Sequence, residues 1–171
     1  MTVVRIDSGL VSGIETADGA ICVFKGIPYA APPIGELRFC APQEVAPWNG
    51  TYIADRFGAA PMQPMHFNDQ IFRQASHVPG WPAPAYSEDC LNLNIWAPVP
   101  AAGKKYPVML WFYGGGNRTG YGSQGIFDGE ALARHGIVFV TFNYRLGALG
   151  FLAHPELSAE SGVGASGNQS L

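Results

Sequence analysis

The feature that most constrains this chain is the stretch 107–123, PVMLWFYGGGNRTGYGS. In it six apolar and aromatic residues, VMLWFY, run without a gap into Gly114, Gly115 and Gly116. The apolar run is too short to cross a bilayer and is bounded by Pro107 and glycine, so it reads as a buried strand. Three glycines leaving a buried strand place backbone N–H groups where no Cβ atom screens them. Two such amides can converge on one ligand oxygen. Acyl transfer needs that geometry, because its transition state builds negative charge on the carbonyl oxygen, and one fixed donor there is worth roughly 3 kcal/mol. The same residues can equally make a flexible turn, and from the local pattern both readings stand. Two phosphate-binding readings fail on spacing: no strand leads into GxGxxG and a helix, and no Gly-Lys-Ser/Thr closes the loop.

A composition of 47% hydrophobic and 13% charged residues over 171 positions suits one globular domain, 1–171, with no internal boundary. The net charge of −3, without a basic run, gives nucleic acid no electrostatic footprint. No segment reaches the roughly 18 apolar residues of a membrane helix, so no membrane partner is expected. Residues 1–7 lack the charged-then-apolar pattern of a signal peptide, and a cytoplasmic location is expected. Three cysteines (Cys22, Cys40, Cys90) and four histidines (His66, His77, His135, His154) lack metal-ligand spacing, and no metal site is expected.

Taken in order, residues 2–24 hold three short β-type runs (3–6, 10–14, 20–24) separated by Asp-Ser-Gly and Asp-Gly turns, which predicts a small antiparallel meander. Residues 26–48 carry five prolines, which exclude a long helix or a central strand. They predict an ordered loop pinned by Tyr29, Phe39 and Trp48, with Arg38 seeking a carboxylate. Residues 52–85 are broken by proline throughout and predict no regular element; a loop of that length is expected to line a pocket. Trp81 in it either packs the loop onto the body or faces a substrate cleft. Residues 88–98, EDCLNLNIWAP, alternate with period two, Leu91, Leu93 and Ile95 against Asn92, Asn94 and Trp96. Residues 128–135, DGEALARH, predict a short helix, and 137–142, IVFVTF, a second apolar strand. Strand, helix, strand predicts a right-handed crossover and a parallel pair.

Four stretches in this order, FKGIPYAAPPIGELRF, SEDCLNLNIWAP, VMLWFYGGGNRTGYGS and VTFNYRLGALGFL, together resemble the type-B carboxylesterases over essentially the whole chain. The resemblance implies an α/β architecture. It would be the N-terminal part of an α/β-hydrolase fold, with a small antiparallel meander and the first strands of a large mixed sheet. It implies hydrolysis of a small-molecule carboxylic ester by a Ser–Glu/Asp–His triad without a cofactor, and it assigns the oxyanion-hole amides to Gly115 and Gly116. Tyr113, where His often stands, joins Trp81 as a candidate cleft residue. The resemblance also pairs Arg38 with Glu88, and pairs Arg145 with an aspartate that would fall just beyond Leu171.

Three departures accompany it. No GxSxG nucleophile elbow occurs, and by the resemblance it would lie roughly thirty residues beyond Leu171. Ser123, Ser166 and Ser170 lack that context and read as loop serines. Pro61 of FGAAPMQ stands where the family usually places the disulfide partner of the cysteine in Glu-Asp-Cys, so no disulfide is expected. The chain is also much shorter than family members. Two expectations follow. The chain is either the N-terminal portion of an esterase, completed by a C-terminal polypeptide, or a non-catalytic remnant or binding module of the same fold. Alone it should be inactive and unstable, with both apolar strands open to solvent and least order in 158–171.

Overall fold

The computed structural model describes residues 1–64, 78–101 and 103–171. His66, His77 and the middle of the proline-broken stretch lie outside the described residues.

The N-terminal runs pair antiparallel, as two hairpins in two sheets. Strands β1 (Val3–Ile6) and β2 (Gly9–Ser12) form the first hairpin, and β5 (Thr51–Ile53) adds parallel to β2. Strands β3 (Ile14–Glu15) and β4 (Ile21–Pro28) form the second hairpin and belong to a larger sheet. The chain changes sheets at Gly13, where a Cβ would lie 2.7 Å from both the Phe24 ring and the Val23 carbonyl oxygen. Val11, Cys22, Phe24 and Ala54 fill the space between the two sheets. Trp48 closes one edge of it, its indole N–H donating to the Leu10 carbonyl at 2.8 Å and its ring tilted on Tyr52.

The larger sheet has five strands in the order β3-β4-β8-β10-β9, with β8 at Asn92–Pro98, β9 at Val108–Trp111 and β10 at Val138–Phe142. Its β9–β10 pair is parallel, as the strand–helix–strand pattern predicts, and the other neighbours are antiparallel. A two-stranded sheet, β6 (Ala60–Pro61) with β7 (Tyr86–Ser87), ties down both ends of the proline-broken stretch.

The crossover holds a 3-10 turn, Gly125–Phe127, and helix α1, Glu130–Arg134, which is shorter than the predicted 128–135. Asp128 lies outside the helix, one residue before the cap Gly129, and its carboxylate accepts from the Glu130 N–H at 3.0 Å. Gly129 lets the helix settle on the sheet, since a Cβ there would run into the Phe139 ring and lie 3.0 Å from Trp96. Ala133 and Leu132 of α1 pack with Ile21, Val23, Trp96 and Phe139.

In β8 the predicted alternation holds, and the face carrying the asparagines is the more deeply buried one. Asn94 is satisfied there: its carbonyl accepts from the Gly26 N–H at 2.9 Å and its amide donates to Thr141 Oγ1 at 3.1 Å. Gly26 sits at a β-bulge in β4, so the asparagine supplies the partner that the strand ladder omits.

The two apolar strands differ. Strand β10 lies between β8 and β9 and is largely buried. Strand β9 is at the sheet edge, and residues 108–112 are 40–67% exposed although all are apolar or aromatic. The expectation that both strands stand open therefore holds for β9 and not for β10. After β10 the chain makes α2 (Gly147–Phe151) and α3 (Pro155–Glu160). The first part of 158–171 is thus helical, and Ser170 is buried, its carbonyl accepting from the Arg145 N–H. Among the described residues no helix is long and apolar enough to cross a membrane.

Candidate oxyanion site

The glycine loop leaves β9 at the edge of the sheet. Tyr113 is the last buried residue before it. Its ring stacks on Tyr144 with centroids 4.5 Å apart, and the Tyr144 hydroxyl donates to the Tyr113 carbonyl at 2.6 Å. Burial pushes the Tyr113 phenol far above its ordinary value. The structure therefore places Tyr113 in the core under the loop and not on a cleft wall. The anchor is a hydrophobic cluster of Tyr113, Phe142, Tyr144 and Leu146.

Beyond that anchor the backbone turns sharply. Gly115 has φ +144, Gly116 φ +61 and Asn117 φ +57, a run of left-handed or glycine-only conformations. A Cβ on Gly115 would collide with the Thr119 carbonyl oxygen, so the turn admits no side chain there. The Gly115 carbonyl points inward and accepts from the N–H groups of Arg118 (3.1 Å) and Thr119 (3.2 Å). The N–H groups of Gly115 and Gly116 have no acceptor among the described residues, and both glycines are exposed. A Cβ on Gly116 would meet open space. Consecutive unengaged amides on a turn with positive φ are groups that can donate to an anionic oxygen.

The same turn is roped to the body from both sides. The Asn117 carbonyl accepts from the Gly147 N–H at 2.7 Å. Asn143 carries more of the load: its side-chain carbonyl accepts from the Gly122 N–H at 2.8 Å, and its amide donates to the Ala59 carbonyl at 2.9 Å. Its own carbonyl accepts from the Tyr29 hydroxyl at 2.6 Å. The signal for Asn143 was present in NYRLG, directly after a buried strand, yet its partners lie far away in sequence.

Among the described residues no serine hydroxyl is hydrogen-bonded to a histidine ring. Ser123 is buried, and its carbonyl accepts from the Trp81 indole N–H at 2.8 Å. His154, Glu156, Ser158 and Ser166 cluster together, but the imidazole Nδ1 accepts from the Glu156 backbone N–H, and the serine hydroxyls bond each other and the backbone of His154. No hydroxyl donates to the imidazole, so the cluster caps α3. Trp81 lies on Phe57 with centroids 5.4 Å apart and within reach of Gly125, holding its loop on the body.

The charged residues singled out in the sequence sit to one side. Arg38 grips Glu88 with two bonds, Nε to Oε2 at 2.6 Å and Nη2 to Oε1 at 2.9 Å, and each holds the other in its charged form. Arg145 is 3% exposed and lines a small cleft with Pro33, Phe39, Met62 and Leu149. Cys22, Cys40 and Cys90 are free thiols, and burial pushes Cys90 up to about 12. Among the described residues no group of His, Cys, Asp and Glu has the arrangement of a metal site.

The sequence matches the carboxylesterase family over residues 1–168. It is 47% identical over 164 residues to the fumonisin B1 esterase of Sphingopyxis macrogoltabida, covering 96% of this chain and 28% of that protein. It is 41% identical over 157 residues to the mouse (Mus musculus) cholinesterase, covering 90% of this chain and 25% of that one. Among solved structures, a PNB esterase superposes with a TM-score of 0.79 at 34% identity over 99% of this chain and 31% of its own. A Geobacillus stearothermophilus carboxylesterase superposes with a TM-score of 0.73 at 40% identity over 89% of this chain and 28% of its own. The chain thus spans about a quarter of the length of the curated relatives it matches, and its architecture is the N-terminal part of the α/β fold of these esterases.

Proposed function

The chain belongs to the carboxylesterase family, and on that footing we propose that it supplies the oxyanion-binding part of a carboxylic ester hydrolase. The observation that carries this reading is the pair of unengaged N–H groups at Gly115 and Gly116, held on a turn that admits no side chain at Gly115. When a hydroxyl attacks an ester carbonyl, a C–O bond forms and the carbonyl π pair moves to oxygen. The two amides donate to that oxygen, and their fixed orientation removes the reorganisation that water would need. As the tetrahedral centre collapses, the alcohol leaves and the charge is withdrawn.

The nucleophile, its base and the acid that orients it come from outside these 171 residues, in the roles of a Ser–His–Glu/Asp triad. The substrate is a small-molecule carboxylic ester, the protein partner is a complementing C-terminal polypeptide, and the chemistry requires no cofactor. The test joins residues 1–171 to the remainder of a complete family member, replacing its matching N-terminal segment. The hybrid should hydrolyse a p-nitrophenyl ester and lose that activity to a serine-directed phosphonate, while residues 1–171 alone turn over no faster than a denatured control. A folded hybrid without activity would favour the non-catalytic remnant or binding module.

A further inference from the structure

We propose that Gln63 is a positioning residue for the oxyanion donors, acting through Gly120. The claim rests on the reading of Gly115 and Gly116 given above. Gln63 ends the FGAAPMQ stretch, and the catalytic reading makes no use of it. Its side-chain carbonyl accepts from the Gly120 N–H at 2.9 Å, and its amide donates to the Gly120 carbonyl at 3.0 Å. One carboxamide therefore holds both polar groups of one residue, which fixes its position and its orientation together. A third bond, from the same amide to the Pro61 carbonyl at 3.0 Å, anchors the glutamine to β6.

Gly120 is the far foot of the glycine loop. Its φ is +109, and a Cβ there would lie 2.8 Å from the Gly114 carbonyl oxygen and 2.6 Å from the Tyr113 ring. The two feet of the loop, Gly114 and Gly120, are thus in direct contact. Between them the Thr119 carbonyl lies against Gly115 so closely that no Cβ fits. A shift of Gly120 is passed to Thr119 and Gly115 by hard contact, backbone on backbone. The loop's inner bonds, Arg118 and Thr119 to the Gly115 carbonyl, give it shape. Gly147 tethers it at Asn117 and Asn143 at Gly122, and the Gln63 clamp fixes the foot at Gly120, the residue in contact with Gly114. An oxyanion hole loses its effect when its donors move by a fraction of an ångström, so a residue that never touches substrate controls rate through them.

Gln63→Met separates this role from simple packing, because methionine keeps the length and volume and removes all three hydrogen bonds. Hydrogen-exchange mass spectrometry of the 171-residue chain reads local opening in monomeric and self-associated forms alike. In Gln63→Met, exchange over residues 114–122 should accelerate about 10-fold, with residues 138–142 unchanged. In the esterase hybrid, kcat should fall by about 10- to 100-fold with KM within about twofold and Tm nearly unchanged. Gln63→Glu, which keeps an acceptor for the Gly120 N–H, should fall between the two. Unchanged exchange in 114–122, uniform acceleration along the chain, or a lowered Tm with kcat intact would each overturn the proposal. An inactive unsubstituted hybrid would count against the oxyanion reading alone, because the exchange measurement decides the clamp without activity.

Discussion

Arg145 donates one guanidinium nitrogen, Nη1, to the carbonyl of Cys40 at 2.9 Å, and its buried Nε and Nη2 have no acceptor among the described residues. Burial pulls its pKa down, the mark of a cation held away from water without an anion beside it. A half-satisfied buried cation destabilises the fold that contains it. In the isolated chain, Arg145→Met should leave Tm unchanged or raise it. In a hybrid whose later residues bring a carboxylate to Nε and Nη2, the same substitution should lower stability by about 3–5 kcal/mol. Calorimetry of both pairs checks this. A fall in Tm in the isolated chain would show that Arg145 already has its partner.

The edge strand β9 and the Phe112 that follows it present five consecutive exposed apolar or aromatic residues, 108–112. An edge of this length and character pairs with other chains. Residues 1–171 should therefore self-associate at micromolar concentration, and Leu110→Lys should shift the population toward monomer. Sedimentation velocity of the two proteins reads the difference. A monodisperse monomer of the unsubstituted chain with one cooperative melt would show that β9 is protected.

Arg38 and Glu88 form the expected two-point ion pair, but the side chains are 43% and 28% exposed. That is more open than a pair that pins a loop from within, so solvent and salt screen it. Arg38→Ala should lower Tm only slightly, and by less at high salt than at low. Arg38 holds the Glu88 carboxyl below its ordinary value, so the pair's stabilisation is present above that value and is lost as pH falls through the shifted one. A large, salt-independent loss of Tm would contradict this account.

The three thiols should separate in reactivity. Cys40 is exposed and should take a maleimide at once, whereas Cys22 and Cys90 are buried and should react only as the fold opens. All three should react in denaturant without reductant; one reactive thiol there would reveal a disulfide. The folded state holds the Cys90 proton more tightly than the unfolded state. Its contribution to stability is therefore complete below 9.0 and is lost as pH rises from there toward about 12. Alkaline melts of Cys90→Ala against the parent should show a shallower decline for the variant.

What could be read in the sequence was what local pattern encodes. The period-two alternation placed β8, the unbroken apolar runs placed β9 and β10, and glycine after a strand marked a turn. Helix α1 came out short because Asp128 and Gly129 serve as its approach and cap, a choice made by the contact of Gly129 with Trp96 and Phe139. The sheet change at Gly13, the pairing of β2 with β5 and of β6 with β7, and the exposure of 108–112 in a run that reads as buried down to Tyr113 depend on which distant segments meet. Gln63 was invisible for the same reason. It lies in a stretch with no periodicity, and its meaning comes from Gly120, far along the chain.

The central claim is that the Gly115 and Gly116 amides bind the oxyanion, and the kcat of the esterase hybrid carrying Gly115→Ala tests it most directly. A methyl on Gly115 meets the Thr119 carbonyl oxygen and must push the donor pair aside, whereas Gly19→Ala places an alanine at a milder positive φ, +66, in a remote turn with open space around it. The expected result is a fall in kcat of about 10²- to 10³-fold for Gly115→Ala with KM little changed, and no change for Gly19→Ala. A Gly115→Ala hybrid that folds like its parent and hydrolyses p-nitrophenyl esters at the parent's rate would contradict it.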